Sequence, residues 1–536
     1  MHDDLQMMRQ LEMEKCFKDL QIPCRWIPDM GYGFGFPLFN FYPPLPYLIG
    51  EVFRVVGFSF VEVAKLTFTL AIVVSGITMY YLSKEFFGKT GGVLSSIFYI
   101  WAPYHAVDIY VRGAMNESWA LAWFPLIFLT SYKLIKDYKT EGRYWTIAVA
   151  LSWFALLTSH NLMVLIIGPF FAIWCLIWLF KEKGWGSIPK LVLGGITSLG
   201  LSAFFTFPAI LENKFTWLKS QLVGYYDYTA HFVDINQLLF SRFWGYGPSV
   251  WDVKDDGMSF QIGHFHWILP LVIFAVFAYK FFKHRKLDRA TLVTLFLFSL
   301  GWFAAFMAHV RSTFVYQHLT FLGLVQFPWR FLTIVIFSFS FLIGALSLLV
   351  KGKMSKIVFT ILTVAMVAFN WNYFLPKSGH MGKLTDEEKF KDAAWDLQQT
   401  AGIYDYLPLT AKEAPKGPQK LLAEIMDGKG TLSEMTQNSN SASFKVNVSS
   451  EKSKIRINIF KFPGWKVFVD GNEVENTVPD EEKWGRMWIE VPKGDHSVSA
   501  KFTNTPVRSI SDITSLVSWT LFLSVIFMGK KKKTSK

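Results

Sequence analysis

Long apolar runs separated by short polar gaps make up most of the chain. They fall at about 61–83, 91–107, 118–135, 144–159, 162–180, 188–209, 265–282, 290–309, 329–350, 356–375 and 513–528. Several exceed the roughly 18 apolar residues needed to cross a hydrocarbon core. The pattern predicts a polytopic α-helical membrane protein with eleven spans. The fourth and fifth runs form one apolar stretch interrupted by Thr158-Ser159-His160-Asn161, read as a tight hairpin turn.

Two regions break this pattern. At the start, Leu5, Met8, Cys16, Phe17 and Leu20 recur at helical spacing with Gln6, Arg9, Glu12 and Lys15 between them. That predicts an amphipathic helix lying on the membrane surface, with Asp3 or Asp4 as its cap. Residues 31–48 follow, rich in Gly and aromatics. Pro43, Pro44 and Pro46 deny them an ordinary helix, so they read as an aromatic interfacial or re-entrant segment. Residues 376–512 are the one large polar region. LTDEEKFKDAAWDLQQT in it looks helical, and from about 440 to 505 the residues alternate as strands do. Asp470-Gly471 between two such strands signals a hairpin. The expected division is an outer loop at 1–60, a transmembrane domain at 61–375, an extracytoplasmic α/β region at 376–512, and a last span with a basic tail at 513–536.

Composition agrees with the membrane reading. Of the 536 residues 52% are hydrophobic and 18% charged, against about 25% charged in soluble domains. The net charge of +13 comes from short loops such as KLIKDYKTEGR and KFFKHRKLDR, not from a nucleic-acid-binding face, so no nucleic acid partner is expected. Placing those loops inside leaves the alternate loops poor in Lys and Arg. The C-terminus then faces the cytoplasm and the N-terminus faces out, which suggests a missing first span and twelve spans in the native protein. Three cysteines are too few for a disulfide scaffold. Cys16 and Cys24 would pair only on an oxidising side and are read as independent thiols, and Cys175 as packing.

With this topology Asp3, Asp4, Arg25, Asp29, His105, Asp108, Arg112, Glu117, His160, Asn161, His309, Arg311, Gln326 and Arg330 all collect on the outer side. Ion-coupled transporters place such groups near the midplane. An enzyme working at the surface would place them as they fall here. YVRGAMNESWA (110–120) admits a solvated ion pair, or a phosphate contact from Arg112 with Glu117 as acid, base or metal ligand. QFPWRF (326–331) admits interfacial anchoring by Trp329 and Arg330, or a lipid-phosphate contact. The acidic pair after His2 admits a cap, a solvated tail, or part of an active site. No HExxH, CxxC, Walker or GxSxG motif is present.

The set PCRWIPDMGYGFGFPLFNFYPPLPY, YVRGAMNES, SHN and QFPWRF resembles bacterial GT-C-type membrane glycosyltransferase-like proteins. In particular it is similar to the YfhO-like group and relatives labelled pyruvoyl-tetrahydropterin-synthase-related, although no residue here speaks for pterin chemistry. The similarity runs over most of residues 1–375, and FPGWKVFVDG…VPKGDHSVSAKF resembles the outer β-domain of YfhO-like proteins. The resemblance implies a GT-C-like fold and transfer of a sugar from a polyprenyl-phosphate donor to an envelope glycan, lipid or protein acceptor. The reaction would run on the outer face of the bacterial cytoplasmic membrane. It implies Asp3, then Asp4, as base, with Glu117 as the second acidic residue. It also implies Arg112, Arg311 and Arg330 at the donor phosphate, and His105, His160 and Gln326 at the substrate. Some members use a divalent cation (Mg or Mn) and others none. The rival readings are a lipid or polysaccharide flippase and a non-catalytic protein that binds envelope polymer.

Overall fold

The computed structural model describes residues 1–217, 222–250, 256–375 and 384–531. The start of the expected outer region, 376–383, and the end of the basic tail, 532–536, lie outside the described residues. The chain is mostly helical, with a C-terminal sheet domain. Among the described residues eight helices are long and apolar enough to cross a membrane, or nine if the bent pair Trp185–Leu201 and Ala203–Leu211 counts as one. The eleven runs read from the sequence reduce to this number for local reasons. The fourth, Gly142–Ser159, is helical but not among the eight, the sixth is the bent pair, and the first two belong to one continuous helical segment, Phe60–Ile100.

That 41-residue segment would be about 60 Å long if straight, twice the roughly 30 Å core. It is not straight. Gly88 adopts φ 74°, ψ −178°, outside the helical region and cheap only for glycine. Beyond it the chain folds back: Ser96 Oγ donates to the Gly76 carbonyl at 2.7 Å, and Ser83 and Ser95 hydroxyls meet at 2.8 Å. The segment is therefore a pair of antiparallel legs on either side of the basic turn KEFFGK.

Contacts divide the chain into two compact units. The first is Met1–Asp4, Lys65–Ser198 and Leu222–Lys383; the second is Leu5–Ala64, Leu199–Gln221 and Leu384–Lys536. The first unit is a helical bundle. Every residue of Leu332–Ile343 is buried, as expected of a helix apolar on all sides. Around it Phe86, Tyr132, Trp174 and Trp178 interlock at centroid distances of 4.6–6.4 Å. Hydroxyls tie helices together through carbonyls, Thr78 to Ala122 and Ser95 to Phe341, each at 2.8 Å. This is the usual way small polar residues serve between membrane helices.

The second unit is built on a six-stranded antiparallel sheet: β1 Ala423–Asp427, β2 Gly430–Gln437, β3 Ser441–Phe460, β4 Trp465–Val469, β5 Asn472–Val474 and β6 Arg486–Phe502. The order is β1-β3-β6-β4-β5, with β2 also on β3. Asp470 (φ 49°) and Gly471 (φ 83°) make the two-residue turn joining β4 to β5. The sheet begins at 423, before the clear alternation starts.

Four expectations for the N-terminal stretch are revised here. The helix Gln6–Lys18 does not present a polar face, because Gln6, Arg9, Gln10 and Glu12 are all buried. Tyr47 donates to Gln6 Oε1 at 2.6 Å, and Arg9 lies 4.2 Å over the Tyr42 ring. Its N-cap is Leu5, not Asp3 or Asp4. Part of the aromatic segment, Phe34 and Phe41, joins the sheet core beside Trp26, while Phe39 and Tyr42 pack on Tyr47. Trp26 packs on Phe462, Trp465 and Phe502 at 5.4–6.0 Å, and Phe34 on Phe460 at 5.7 Å. Cys16 and Cys24 are disulfide-bonded, and Cys175 is the buried free thiol. A polar repeat and an aromatic run read the same whether their partner is lipid or a strand four hundred residues later.

The second unit also buries a charge network. Glu212 accepts from Arg508 Nε (2.8 Å), Asn40 Nδ2 (2.9 Å) and Thr505 Oγ1 (2.5 Å). Arg25 donates to Asp512 at 2.5 Å and to Asn40 at 3.3 Å, and Asn504 closes the other Asp512 oxygen at 2.9 Å.

Candidate functional site

Four helix starts or breaks in the first unit bring charged side chains together. Past Ile100 the chain makes a short turn, Pro103–Ala106, and then a π-helix, Val107–Arg112. Such wide turns recur at functional sites. Gly113, in the left-handed region (φ 64°, ψ 30°), ends it. Its Cα hydrogen points at the Asp3 carbonyl, and an added Cβ would come within 2.7 Å of that oxygen. The next helix, Met115–Asp137, carries Glu117 in its first turn, where the helix dipole favours an acid. His160 is the extended residue between Gly142–Ser159 and Asn161–Lys181. Arg330 lies in the 3-10 turn Pro328–Phe331.

Just before that turn, Gln326 has φ 65°, ψ −47°, and Phe327 N–H donates back to the Val325 carbonyl at 2.7 Å. This is the rare positive-φ γ-turn, a strained conformation of the kind that collects at working sites. The Val325 carbonyl and Gln326 Oε1 accept from Arg330 Nη1 at 2.8 and 3.0 Å. The strained turn therefore fixes Arg330.

These elements converge on Glu117. Its Oε1 accepts from the Tyr104 hydroxyl at 2.7 Å. Its Oε2 lies 2.8 Å from Arg112 Nη2 and 3.4 Å from Arg330 Nε. Arg112 also donates to Asp108 Oδ1, four residues back, and to the Tyr104 oxygen at 3.3 Å. Aromatic faces cover both guanidinium groups: Arg112 lies 4.5 Å over Trp329, and Arg330 4.8 Å over Phe327. Cation–π attraction of this kind strengthens when the pair is desolvated.

The cluster is buried yet incompletely hydrogen-bonded. Among the described residues Asp108 Oδ2, Glu117 Oε2, Arg330 Nε, His160 Nδ1 and both ring nitrogens of His105 have no hydrogen-bond partner of good geometry. Burial, then the charge of Glu117, pushes the Asp108 carboxyl well above its usual range. Burial opposes charge on Arg112, but Glu117, ahead of Tyr104 and Asp108, holds it protonated beyond its usual range. Burial, then Arg330, brings His160 down to about 3, so its ring is neutral at neutral pH. With Asp108 disposed to neutrality, two guanidinium groups face one firm carboxylate. Such an arrangement suits an incoming anion.

The expected residues divide clearly. Arg112, Glu117, Gln326 and Arg330 are joined directly by the contacts above, and His160 feels the charges of Arg330, Glu117 and Arg112. Asp3 lies beside them through backbone pairing: its N–H donates to the Arg112 carbonyl, and that of His2 to the Val111 carbonyl, both at 2.8 Å. Asp4 follows, partly exposed. His105 is buried against the Tyr99 ring at 4.9 Å. Arg311 is exposed on the turn Val310–Ser312, its N–H held by His309 Nδ1 at 3.1 Å. Trp329, read as an interfacial anchor, is 2% exposed and serves as the floor under Arg112. Tyr104 and Asp108 lie just before the motif as read from the sequence; the i, i+4 spacing of Asp108 and Arg112 was the available signal. His231 and Ser249, bonded at 3.0 Å beneath Trp329, had none.

The cluster does not fit a divalent cation. Asp108 and Glu117 both already face Arg112, and no group of three or more His, Cys, Asp or Glu residues capable of holding a metal occurs among the described residues.

No family model matches the chain. It is 25% identical over 205 residues to an uncharacterized protein of Lactococcus lactis subsp. cremoris (strain MG1363), a stretch covering 37% of this chain and 33% of that relative. The match thus spans about a third of the relative's length.

Proposed function

We propose that the protein is an integral membrane glycosyltransferase of GT-C type, using a polyprenyl-phosphate sugar on the extracytoplasmic face of a bacterial cytoplasmic membrane. One observation carries the reading: Arg112 and Arg330 converge on Glu117 with hydrogen-bonding capacity left over. A departing lipid phosphate needs fixed positive charge that requires no rearrangement as the bond breaks. Glu117 and Gln326 hold the two guanidinium groups, and aromatic rings exclude water behind them.

In this reaction Asp3 takes the proton of an acceptor hydroxyl. The hydroxyl oxygen bonds to the anomeric carbon as the bond from that carbon to the phosphate oxygen breaks, and polyprenyl phosphate leaves carrying its negative charge. The pairing of Asp3 N–H with the Arg112 carbonyl supports a base beside the phosphate site. The charged groups lie at helix starts and breaks rather than at helix centres, which favours this reading over ion-coupled transport. The Lys/Arg asymmetry of the loops supports the orientation.

The test is sugar transfer from polyprenyl-phosphate donors by the full chain in membranes, comparing Asp3→Asn and Glu117→Gln with the native protein. Losses of about 100-fold or more are expected, the scale of general-base and electrostatic contributions. Full transfer by both variants would sink the assignment, and lipid translocation without transfer would favour the flippase.

A further inference from the structure

The second unit holds a cavity of about 540 Å³ that the proposed chemistry does not use. Its size falls within the roughly 300–1,000 Å³ of small-ligand sites. Tyr32, on the turn before Gly33, and Trp395, on the helix Asp392–Thr400, both line it and are only partly buried. Gln399, Gln419 and Gln437 bring amide groups to the same walls. Ser439, between β2 and β3, is 1% exposed and also lines it; its Oγ has no hydrogen-bond partner among the described residues.

The walls are held in place from outside the cavity's own contents. Gln399 O accepts from the Gly31 and Tyr32 amides at 2.9 and 3.2 Å, and Gln399 Nε2 donates to the Asp29 carbonyl at 3.2 Å. Gln419 N–H donates to the Tyr32 carbonyl at 2.8 Å, and Ser439 N–H to Asp19 Oδ2 at 2.6 Å. Gly33 (φ 81°) takes a left-handed backbone conformation that favours glycine and lies against Gln419, where an added Cβ would meet its Cβ in ordinary contact at 3.4 Å. The backbone thus fixes the rings and amides before any ligand arrives, which lowers the ordering cost of binding.

We propose that this cavity binds a neutral or amine-bearing oligosaccharide. A pyranose ring has C–H faces that suit partly exposed aromatic rings, which combine an apolar body with a polar edge. Its rim of hydroxyls donates and accepts at once, and side-chain amides match that double role. A wholly apolar ligand would leave Ser439 Oγ unpaired, at a cost. Charge narrows the class further. Asp19, Asp29 and Asp396 line the cavity against Lys15, and Lys15 is already bonded to Asp29 and lies 3.7 Å from Glu12. Phosphate- or uronate-bearing polymers would meet net negative charge. The proposal does not rest on glycosyl transfer in the first unit.

The experiment is calorimetric titration of the full chain in nanodiscs with four probes: oligomers of N-acetylglucosamine, of glucosamine, of galacturonate, and of glycerol phosphate. The first two are expected to bind and the anionic two to bind more weakly. Trp395→Ala and Gln419→Ala should each weaken binding about tenfold, equivalent to roughly 1.4 kcal/mol, while Trp395→Phe retains it. Failure of all four to bind at millimolar concentration would overturn the proposal. So would anionic oligomers binding as tightly as neutral ones, or Trp395→Ala binding as the native protein does.

Discussion

Each unit of this protein buries a knot of carboxylates and arginines, and the two are finished differently. In the second unit all four oxygens of Glu212 and Asp512 accept hydrogen bonds, from Arg508, Asn40, Thr505, Arg25 and Asn504. In the first, Glu117 Oε2 and Asp108 Oδ2 lie at ion-pair distance or nearby without a well-formed bond. A buried polar atom left open costs about 1–3 kcal/mol, so native proteins rarely keep several together. The knot whose carboxylate oxygens are all filled reads as a fastening, although Arg25 Nε and Arg508 Nη2 stay open in it, and the one whose carboxylate oxygens stay open reads as a receptor. Burial and charge count alone would not have told them apart.

The largest test of this comparison is Glu212→Ala. Removing the carboxylate of this buried pair leaves Arg508 uncompensated, and about 3–5 kcal/mol of stability should be lost, read by thermal unfolding in detergent. The proposed sugar transfer, measured per folded molecule, should stay near native. A variant that unfolds normally but loses transfer would move the fastening into the reaction.

A smaller effect is expected from acid. Burial, then the charge of Arg330, lowers His160 to about 3 in the folded protein, against about 6.5 unfolded. Its contribution is therefore fully present above pH 6.5 and is lost as pH falls toward 3. Because the residue is partly exposed, the loss is on the order of 1–3 kcal/mol. His160→Gln should flatten the stability–pH curve in that window; an unchanged slope would show that the ring is not held neutral.

The smallest expected change is Asp108→Asn. Burial and Glu117 raise this carboxyl's pKa, so its stabilising contribution is greatest below about 3.9, the unfolded value, and declines as pH rises through the folded one. A neutral amide avoids that decline. Stability at pH 7 should stay within about 1 kcal/mol of native. A loss as large as that of Glu212→Ala would erase the distinction between the knots.

Much of this could be read from the sequence where the cause is local. The Asp470-Gly471 turn follows from two residues tolerant of positive φ, and the long apolar runs follow from the solvent they suit. Arg112, Glu117 and Arg330 were found because charge at the edge of an apolar run is costly unless used. What was not legible depends on distant partners. Nothing near Cys16 and Cys24 tells whether they pair. Nothing in residues 26–41 announces Phe460, Phe462 and Trp465 as their neighbours. Arg311 carries the same charge as Arg330 but lacks the γ-turn and the aromatic floor that give Arg330 its place.

The π-turn at Val107–Arg112 makes the loop's length a functional variable in its own right. Deleting a single residue there would return the turn to α-helical phase and swing everything beyond it by about 100°. For a deletion at 109–111, Arg112 and Glu117 would then swing away from Tyr104 and Asp108, which precede it, although every side chain of the cluster was still encoded. A scan of one-residue deletions and alanine insertions through 107–112 would read the site as a clock whose hands have been moved, with composition intact and timing lost.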